Sequence, residues 1–239
     1  MSRLVLVRHG QASFFADDYD KLSPMGERQS EALARAWLEK DDTFTAAYCG
    51  TLQRQRRTGE VAGETIAAAG KAWPEVRILD GLNEYEADAI MGGLLPELRA
   101  KDERMRRLDE EYRAAVESRE KYRTFHRLLE AVMAVYVSGK YEATGFEPWT
   151  AFRDRVRGAL RTIMSDADSG ATIAVFSSGG PIGIGVQTVL DAPDIKAAEL
   201  NWRIHNCSTT QFTFSGNRIT LDHFNVTAHL TDPAMLTYR

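Results

Sequence analysis

The sequence predicts an α/β fold with three layers, in which helices cover both faces of a mostly parallel sheet. Two observations predict it: β-favouring apolar runs alternate with helical patterns, and the chain ends in two strand-like runs joined by a tight turn. The expected strands cover 3–7, 45–49, 76–79, 171–177, 208–214 and 218–225. The expected helices cover about 25–39, 52–69, 148–166 and 181–190.

The composition predicts one large domain, 1–239, in a cytoplasmic protein. With 44% hydrophobic and 27% charged residues, the chain can bury a sizeable core. A net charge of −4 argues against a nucleic-acid partner, and the apolar opening run is too short for a signal peptide or a membrane span. Cys49 and Cys207 have no metal-ligand spacing and are expected to be buried, so we expect neither a metal nor a cofactor.

The first strand ends in Arg8-His9-Gly10, directly after the apolar run Leu4-Val5-Leu6-Val7. Open α/β sheets bind ligands beyond the carboxyl ends of their strands. A cation and an imidazole at that position therefore predict a binding or catalytic site.

The helices after the first two strands begin with signals that direct polar groups to the same edge. Ser23-Pro24 is typical of an N-cap followed by proline at the first helical position. The helix after strand 45–49 opens with three arginines, of which Arg54 is best placed to face the crevice. Arg57 lies three residues further, near the same face, whereas Arg56 is expected to point to solvent.

Two more strand ends carry candidate groups. The loop after strand 76–79 contains Glu84 and Glu86. Strand 171–177 is followed by Ser178-Gly179-Gly180-Pro181, a glycine pair at a helix start that lets backbone N–H groups approach an anion.

The stretch from about 88 to 147 interrupts the alternation and is predicted to be a helical insertion. Apolar side chains recur at spacings of three and four over 101–137, which predicts one long amphipathic helix or two shorter ones. A helical layer covering one side of the sheet and the seam of a homodimer both fit this pattern.

Together these motifs resemble the histidine phosphatase superfamily, the phosphoglycerate-mutase-like enzymes. The resemblance spans nearly the whole chain, and the run Arg8-His9-Gly10-Gln11-Ala12-Ser13 is similar to a bacterial branch of that family. The motifs that carry it occur in the family's order: Arg8-His9-Gly10, Leu22-Ser23-Pro24-Met25-Gly26 with Gln29, Leu52-Gln53-Arg54 with Thr58, Leu82-Asn83-Glu84, and Gly179-Gly180.

The resemblance implies a phosphoglycerate-mutase-like fold and a division of roles. His9 would attack phosphorus and form a phosphohistidine, while Arg8 and Arg54 hold the phosphoryl oxygens. Glu84 would protonate the leaving alkoxide, with Glu86 as the fallback. Further substrate contacts would come from Gly10, Gln11, Ser13, Ser178 and Gly179.

One position departs from the family pattern. The family has a second histidine where this chain has Ser178, and a hydroxyl is shorter and carries no positive charge. Either another group substitutes, with His205 a better candidate than His223 or His229, or the enzyme is slow. The loss also makes a mutase less plausible than a hydrolase, because a mutase must retain its phosphoenzyme.

The sequence therefore predicts a metal-independent phosphomonoesterase that acts on a phosphorylated small molecule or a phosphoprotein. The alternative is a pseudophosphatase that binds a phosphorylated ligand or protein with little or no turnover. Retention of both His9 and Glu84 favours the enzyme, and Ser178 favours the alternative.

Overall fold

The structure is a computed structural model that describes residues 1–13, 20–142, 144–216 and 218–238. Within these ranges, six strands form one sheet in the order β3-β2-β4-β1-β5-β6. Strands β1 to β4 run parallel, and β5 pairs antiparallel with both β1 and β6. The bounds are β1 Ser2–Arg8, β2 Ala46–Cys49, β3 Val76–Ile78, β4 Thr172–Ser177, β5 Thr209–Ser215 and β6 Arg218–Val226. The predicted α/β class, with its mostly parallel sheet and final hairpin, is confirmed.

Each predicted helix is present, with bounds that differ by two residues at most. The described helices are α1 Pro24–Glu39, α2 Gln53–Ala68, α3 Ala87–Lys101, α4 Glu103–Ala114, α5 Lys121–Ser138, α6 Trp149–Ser165, α7 Gly179–Val189 and α8 Ile195–Asn201. The sequence analysis included α3 only in the helical insertion, without separate bounds, and it missed α8. Helix α3 contains Gly92, Gly93 and Pro96, residues that disfavour a helix interior, and α8 is only 7 residues long.

The two faces of β1 contact different helices, because successive side chains of a strand alternate between faces. On one face, Val5 and Val7 belong to a buried cluster with Leu33 and Trp37 of α1 and Ala62 of α2. On the other face, Leu6 and Leu160 of α6 both approach Gly185 of α7 closely. Helices thus cover both faces of the sheet, and polar loops join the strands to the helices at the strand ends.

Contacts divide the described residues into two units. The first comprises 1–84 with 155 onward and contains the whole sheet, and the second is the helical segment Tyr85–Asp154. In the second unit, the predicted amphipathic stretch forms two helices, α4 and α5, rather than one. Their buried stripe includes Met105, Leu108, Met133 and Tyr136.

Two further expectations concern the two cysteines and the hydropathy of the helices. Cys49 and Cys207 are both buried and reduced, as predicted. None of the helices in the described part of the chain is both long and apolar enough to cross a membrane.

Candidate active site

The carboxyl ends of the parallel strands meet at one edge of the sheet. Arg8 at the end of β1 is in register with Ser177 at the end of β4, and the His9 N–H donates to the Ser177 carbonyl at 2.8 Å. Cys49 of β2 is in register with both Phe176 and Ile78 on its two neighbours. The loops that carry His9, Arg54, Glu84 and Ser178 therefore all leave the sheet at this edge.

His9 is held as a neutral imidazole with a defined tautomer. Its Nδ1 lies 2.7 Å from the Gly10 carbonyl, an acceptor, so we assign the ring proton to Nδ1 and a lone pair to Nε2. The Arg54 Nε–H donates to that Nε2 at 3.3 Å. Burial, then the charges of Arg54 and Arg8, hold the pKa of His9 well below its usual value, against the opposing effect of the Gly10 carbonyl. The site thus presents a nitrogen nucleophile that is unprotonated at neutral pH.

Arg54 is fixed by an ion pair that the sequence analysis did not foresee. Its Nη1 lies 2.6 Å from Oδ1 of Asp20, and Oδ2 of the same carboxylate accepts the Gln53 N–H at 2.7 Å. Asp20 therefore satisfies a backbone donor in the first turn of α2, whose N-cap residue Leu52 makes no side-chain capping bond. One carboxylate holds both the helix start and the guanidinium.

Arg57 does not share this environment, contrary to its expected position near the face of Arg54. Its guanidinium forms paired hydrogen bonds to Glu27, at 2.9 and 3.0 Å, and a third to Glu64 at 3.0 Å. Three carboxylates within salt-bridge distance, with Glu60 the third, draw the side chain towards α1 and along α2. Arg56 is exposed, as predicted.

Thr58 joins the first motif to the second. Its hydroxyl accepts the Gly10 N–H at 2.9 Å and donates to the Arg54 carbonyl at 2.7 Å. A Cβ on Gly10 would lie only 2.6 Å from the Gly26 carbonyl oxygen, so the loop can pass over the start of α1 only with glycine there. The catalytic loop, α1 and α2 therefore form one close-packed corner.

Gln11 and Ser13 lie along the start of α1. The Gln11 side-chain oxygen accepts the Ser23 hydroxyl at 2.8 Å, and its backbone N–H donates to buried Gln29 at 2.8 Å. The Ser13 N–H donates to the Lys21 carbonyl at 2.8 Å. These contacts fix the loop beside the site, and a substrate contact from either side chain stays a prediction.

The loop before β5 holds the other side of the first motif. Arg8 donates from Nη1 to the Ile204 carbonyl, and the buried amide of Asn206 donates to the His9 carbonyl at 3.2 Å. His205, between them, takes a hydrogen bond on Nδ1 from the Asn225 amide at 3.3 Å, and its ring stacks on Tyr238 at 4.1 Å. These contacts fix the orientation of the His205 ring, but its role as a substitute imidazole stays a prediction.

Glu84 is oriented by the start of α7. Its Oε2 accepts the Gly180 N–H at 2.9 Å, which satisfies one of the first backbone donors of that helix. The adjacent Asn83 forms two hydrogen bonds of 2.8 Å with Thr51, one to the backbone N–H and one to the hydroxyl. Glu84 therefore projects from a constrained turn, whereas Glu86 is exposed on the helical unit.

Ser178 is fully buried, and its hydroxyl is paired with a residue that the sequence analysis missed. The Gln55 side-chain amide donates to Ser178 Oγ at 2.8 Å and to the Leu82 carbonyl at 3.1 Å. Because both amide hydrogens are used, Gln55 fixes Ser178 as an acceptor, and the amide fills space beside this short side chain. Gly179 is required by packing, since a Cβ there would lie 1.9 Å from Oδ1 of Asn201.

The positive charge beside His9 comes from the side chains of Arg8 and Arg54. Within the described residues, no group of three or more His, Cys, Asp or Glu side chains is arranged to hold a metal ion. Arginines bind phosphoryl oxygens through a planar fork of donors, and an unprotonated imidazole nitrogen can attack phosphorus. The geometry is therefore suited to binding a dianion and transferring its phosphoryl group to His9.

Comparisons with known proteins agree with this geometry. The family model of the histidine phosphatase superfamily, branch 1, matches residues 4–142 and 133–227. A 2-carboxy-D-arabinitol-1-phosphatase of Triticum aestivum is 40% identical over 70 residues, which is 26% of this chain and only 14% of that protein.

Solved structures share the fold over nearly the full chain. A phosphoserine phosphatase of Entamoeba histolytica, solved with 3-phosphoglyceric acid, is 16% identical with a TM-score of 0.62, and the alignment covers 96% of this chain and 100% of that one. A mycobacterial glucosyl-3-phosphoglycerate phosphatase is 20% identical with a TM-score of 0.62, over 95% and 99% of the two chains.

Proposed function

Because the chain belongs to the histidine phosphatase superfamily, branch 1, we propose that it hydrolyses a phosphate monoester through a phosphohistidine on His9. The observation that carries the proposal is the state of His9: buried, neutral, and with Nε2 directed at the guanidinium of Arg54. A structural histidine in a core needs no such neighbour. A nucleophile for a dianion needs both a lone pair and nearby positive charge.

The first step forms a P–N bond and breaks the ester P–O bond. Arg8 and Arg54 bind the phosphoryl oxygens, and the Nε–H of Arg54 exchanges its contact with His9 for one with the phosphate. The freed Nε2 lone pair attacks phosphorus while Glu84 gives its proton to the leaving oxygen. Positive charge then develops on the ring, and the Gly10 carbonyl stabilises the Nδ1–H that carries it.

The second step returns the enzyme to its starting state. The Glu84 carboxylate accepts a proton from a water molecule whose oxygen attacks phosphorus. The P–N bond breaks, its electron pair returns to Nε2, and inorganic phosphate leaves. No metal ion is needed in either step, because the two arginines supply the charge that balances the dianion.

The substrate we propose is a phosphorylated small molecule. His9 has only 4% of its surface exposed and Arg54 only 8%, so the phosphate must enter a narrow recess. The relatives whose names specify a substrate act on small phosphate esters, including phosphoserine and glucosyl-3-phosphoglycerate. A phosphorylated side chain on an extended peptide is the second substrate class that fits.

The test is steady-state hydrolysis of p-nitrophenyl phosphate in the presence of a chelator, comparing wild type with His9→Ala. We expect His9→Ala to lower kcat by about 10³-fold or more, because removal of a covalent nucleophile abolishes the pathway rather than one contact. His223→Ala is the matched control, since His223 is exposed on β6. Rapid quenching with labelled substrate should also leave an acid-labile, alkali-stable phosphoryl group on wild type alone.

If no His9-dependent turnover were measured between about pH 5 and 8, the range in which histidine titrates, the proposed phosphatase activity would be contradicted. Phosphate binding that persists in that case would identify the pseudophosphatase, the reading that Ser178 favours. The same chelator experiment tests metal independence, since loss of turnover under chelation would overturn it.

A further inference from the structure

Arg155 reaches back across the chain to the turn that carries Glu84. Its Nη1 donates to the carbonyls of Asn83 at 2.9 Å and Gly81 at 3.2 Å, and its Nη2 contacts the Glu84 carbonyl at 3.5 Å. These acceptors lie 71 to 74 positions earlier in the sequence. One guanidinium thus contacts three carbonyl groups of the turn.

The turn also packs directly on the helix that carries Arg155. A Cβ on Gly81 would lie 2.8 Å from the Cβ of Ala159 and 3.0 Å from the Arg155 carbonyl oxygen, so the backbone approaches α6 as closely as glycine allows. Arg155 and Ala159 are one helical turn apart on the same face. The position of the turn is therefore set by α6 through both packing and hydrogen bonds.

Glu84 is held at both its carboxyl group and its backbone. Its carboxyl group is held at Oε2 by the Gly180 N–H, and its backbone is held by Arg155. Glu84 and Arg155 are also the residues that flank the segment Tyr85–Asp154 in the sequence, so the chain leaves and rejoins the first unit at this cluster. Without Arg155, the turn would keep the hydrogen bonds that Gln55 and Ser177 donate to the Leu82 carbonyl. The carbonyls of Gly81, Asn83 and Glu84 would lose the guanidinium that joins them to α6.

We infer that Arg155 is a positioning residue for proton donation by Glu84. This inference rests on the proposed function, and it assigns Arg155 no contact with the substrate. A general acid accelerates proton transfer by about 10²- to 10⁴-fold, and a misplacement of about 1 Å can remove about 10²-fold of rate. Because kcat/KM reports the steps up to departure of the leaving group, the loss in kcat/KM should appear only where the leaving group needs a proton.

The leaving group therefore provides the test. An alkoxide such as that of benzyl phosphate must be protonated as it leaves, whereas p-nitrophenolate leaves readily as the anion. Arg155→Met removes the donors and keeps the aliphatic stem. We expect kcat/KM to fall by about 10²-fold with benzyl phosphate and by less than about threefold with p-nitrophenyl phosphate.

Arg157→Met is the matched control. Arg157 lies two residues further along α6 and also donates hydrogen bonds, to Thr188 Oγ1 at 2.9 Å and Gln187 Oε1 at 3.0 Å. Its partners lie on α7, away from the acid turn. The control should change the ratio of the two kcat/KM values by less than about twofold, a change worth about 0.4 kcal/mol.

The ratio of the two kcat/KM values keeps the test decisive even if Arg155→Met folds poorly, because both substrates report on the same active fraction. Arg155→Lys, which retains one charged donor, should shift the ratio by an intermediate amount. In a Glu84→Gln background, either change should leave the ratio where Glu84→Gln alone puts it. An equal loss on both substrates, or no loss on either, would overturn the inference and leave His9-dependent hydrolysis standing.

Discussion

The two halves of the site are held in different ways. On the nucleophile side, the motif residues contact one another: Gly10 donates to Thr58, Thr58 to Arg54, and Arg54 to His9. On the acid side, the Gly180 N–H holds the Glu84 carboxylate, but the Glu84 backbone and the Ser178 hydroxyl are held by Arg155 and Gln55, neither of which belongs to a recognised motif. A motif thus predicts geometry where its members touch, and it leaves geometry undetermined where other residues position them.

The largest effect in this comparison should come from breaking the nucleophile side. Arg54→Gln removes a charged donor from the phosphoryl group and from His9, and loss of one such donor costs about 10²- to 10³-fold in rate. It also removes one of the charges that lower the pKa of His9, so the acid limb of the pH–rate profile should move to higher pH. Steady-state kcat/KM across the pH range measures both effects.

Arg57→Gln is the comparison for that experiment, since Arg57 lies on the same helix and is paired with Glu27 and Glu64. Its kcat/KM should change by less than about threefold, as expected for a half-exposed ion pair outside the site. If Arg54→Gln were as active as Arg57→Gln, Arg54 would have no part in phosphoryl binding.

A smaller effect is expected from adding a second imidazole to the acid side. Ser178→His alone places a larger side chain in a fully buried position beside Gln55, so overpacking should cost about 1–3 kcal/mol of stability. Combining Ser178→His with Gln55→Ala makes room, and the added donor should raise kcat about tenfold relative to Gln55→Ala alone.

Thermal unfolding and kcat of the three variants measure the two effects separately. A double variant that folds but is no faster than Gln55→Ala would indicate that another group, such as His205, already supplies the missing donor. His205→Ala in the wild-type background is then the next comparison.

The sheet and its flanking helices could be predicted because their signals are local. The apolar run of β1 and the Ser23-Pro24 start of α1 each determine structure within a few residues, and the structure has both elements in place. The supports of Glu84 and Ser178 could not be predicted. Gln55 lies 123 positions from Ser178, and Arg155 lies 71 from Glu84, so no periodicity or spacing connects them.

Asp20 illustrates the same limit within the nucleophile side. It lies 34 positions before Arg54, and a carboxylate in a polar loop gives no sign of its partner. Its contact with both Gln53 and Arg54 joins residues that lie more than 30 positions apart in the sequence. Motif order predicted the candidate residues, and the fold determined what holds them.

The smallest predicted effect is the contribution of His9 to the pH dependence of the free energy of unfolding. Because its pKa is lowered in the folded protein, the unfolded chain binds a proton near pH 6.5 that the folded protein does not, so the free energy of unfolding falls as pH falls below that value. Between pH 7 and 5.5, His9 should account for about 1 kcal/mol of that loss. Partly buried His229, whose pKa is also lowered, mainly by desolvation, acts in the same direction.

His9→Gln should remove the His9 share of this pH dependence, whereas His223→Gln, at an exposed position, should retain the wild-type slope. Urea unfolding at several pH values measures the difference. A slope unchanged by His9→Gln would mean that the folded protein protonates His9 as readily as the unfolded chain. In that case His9 would be protonated below neutral pH, and its Nε2 would have no lone pair with which to attack phosphorus.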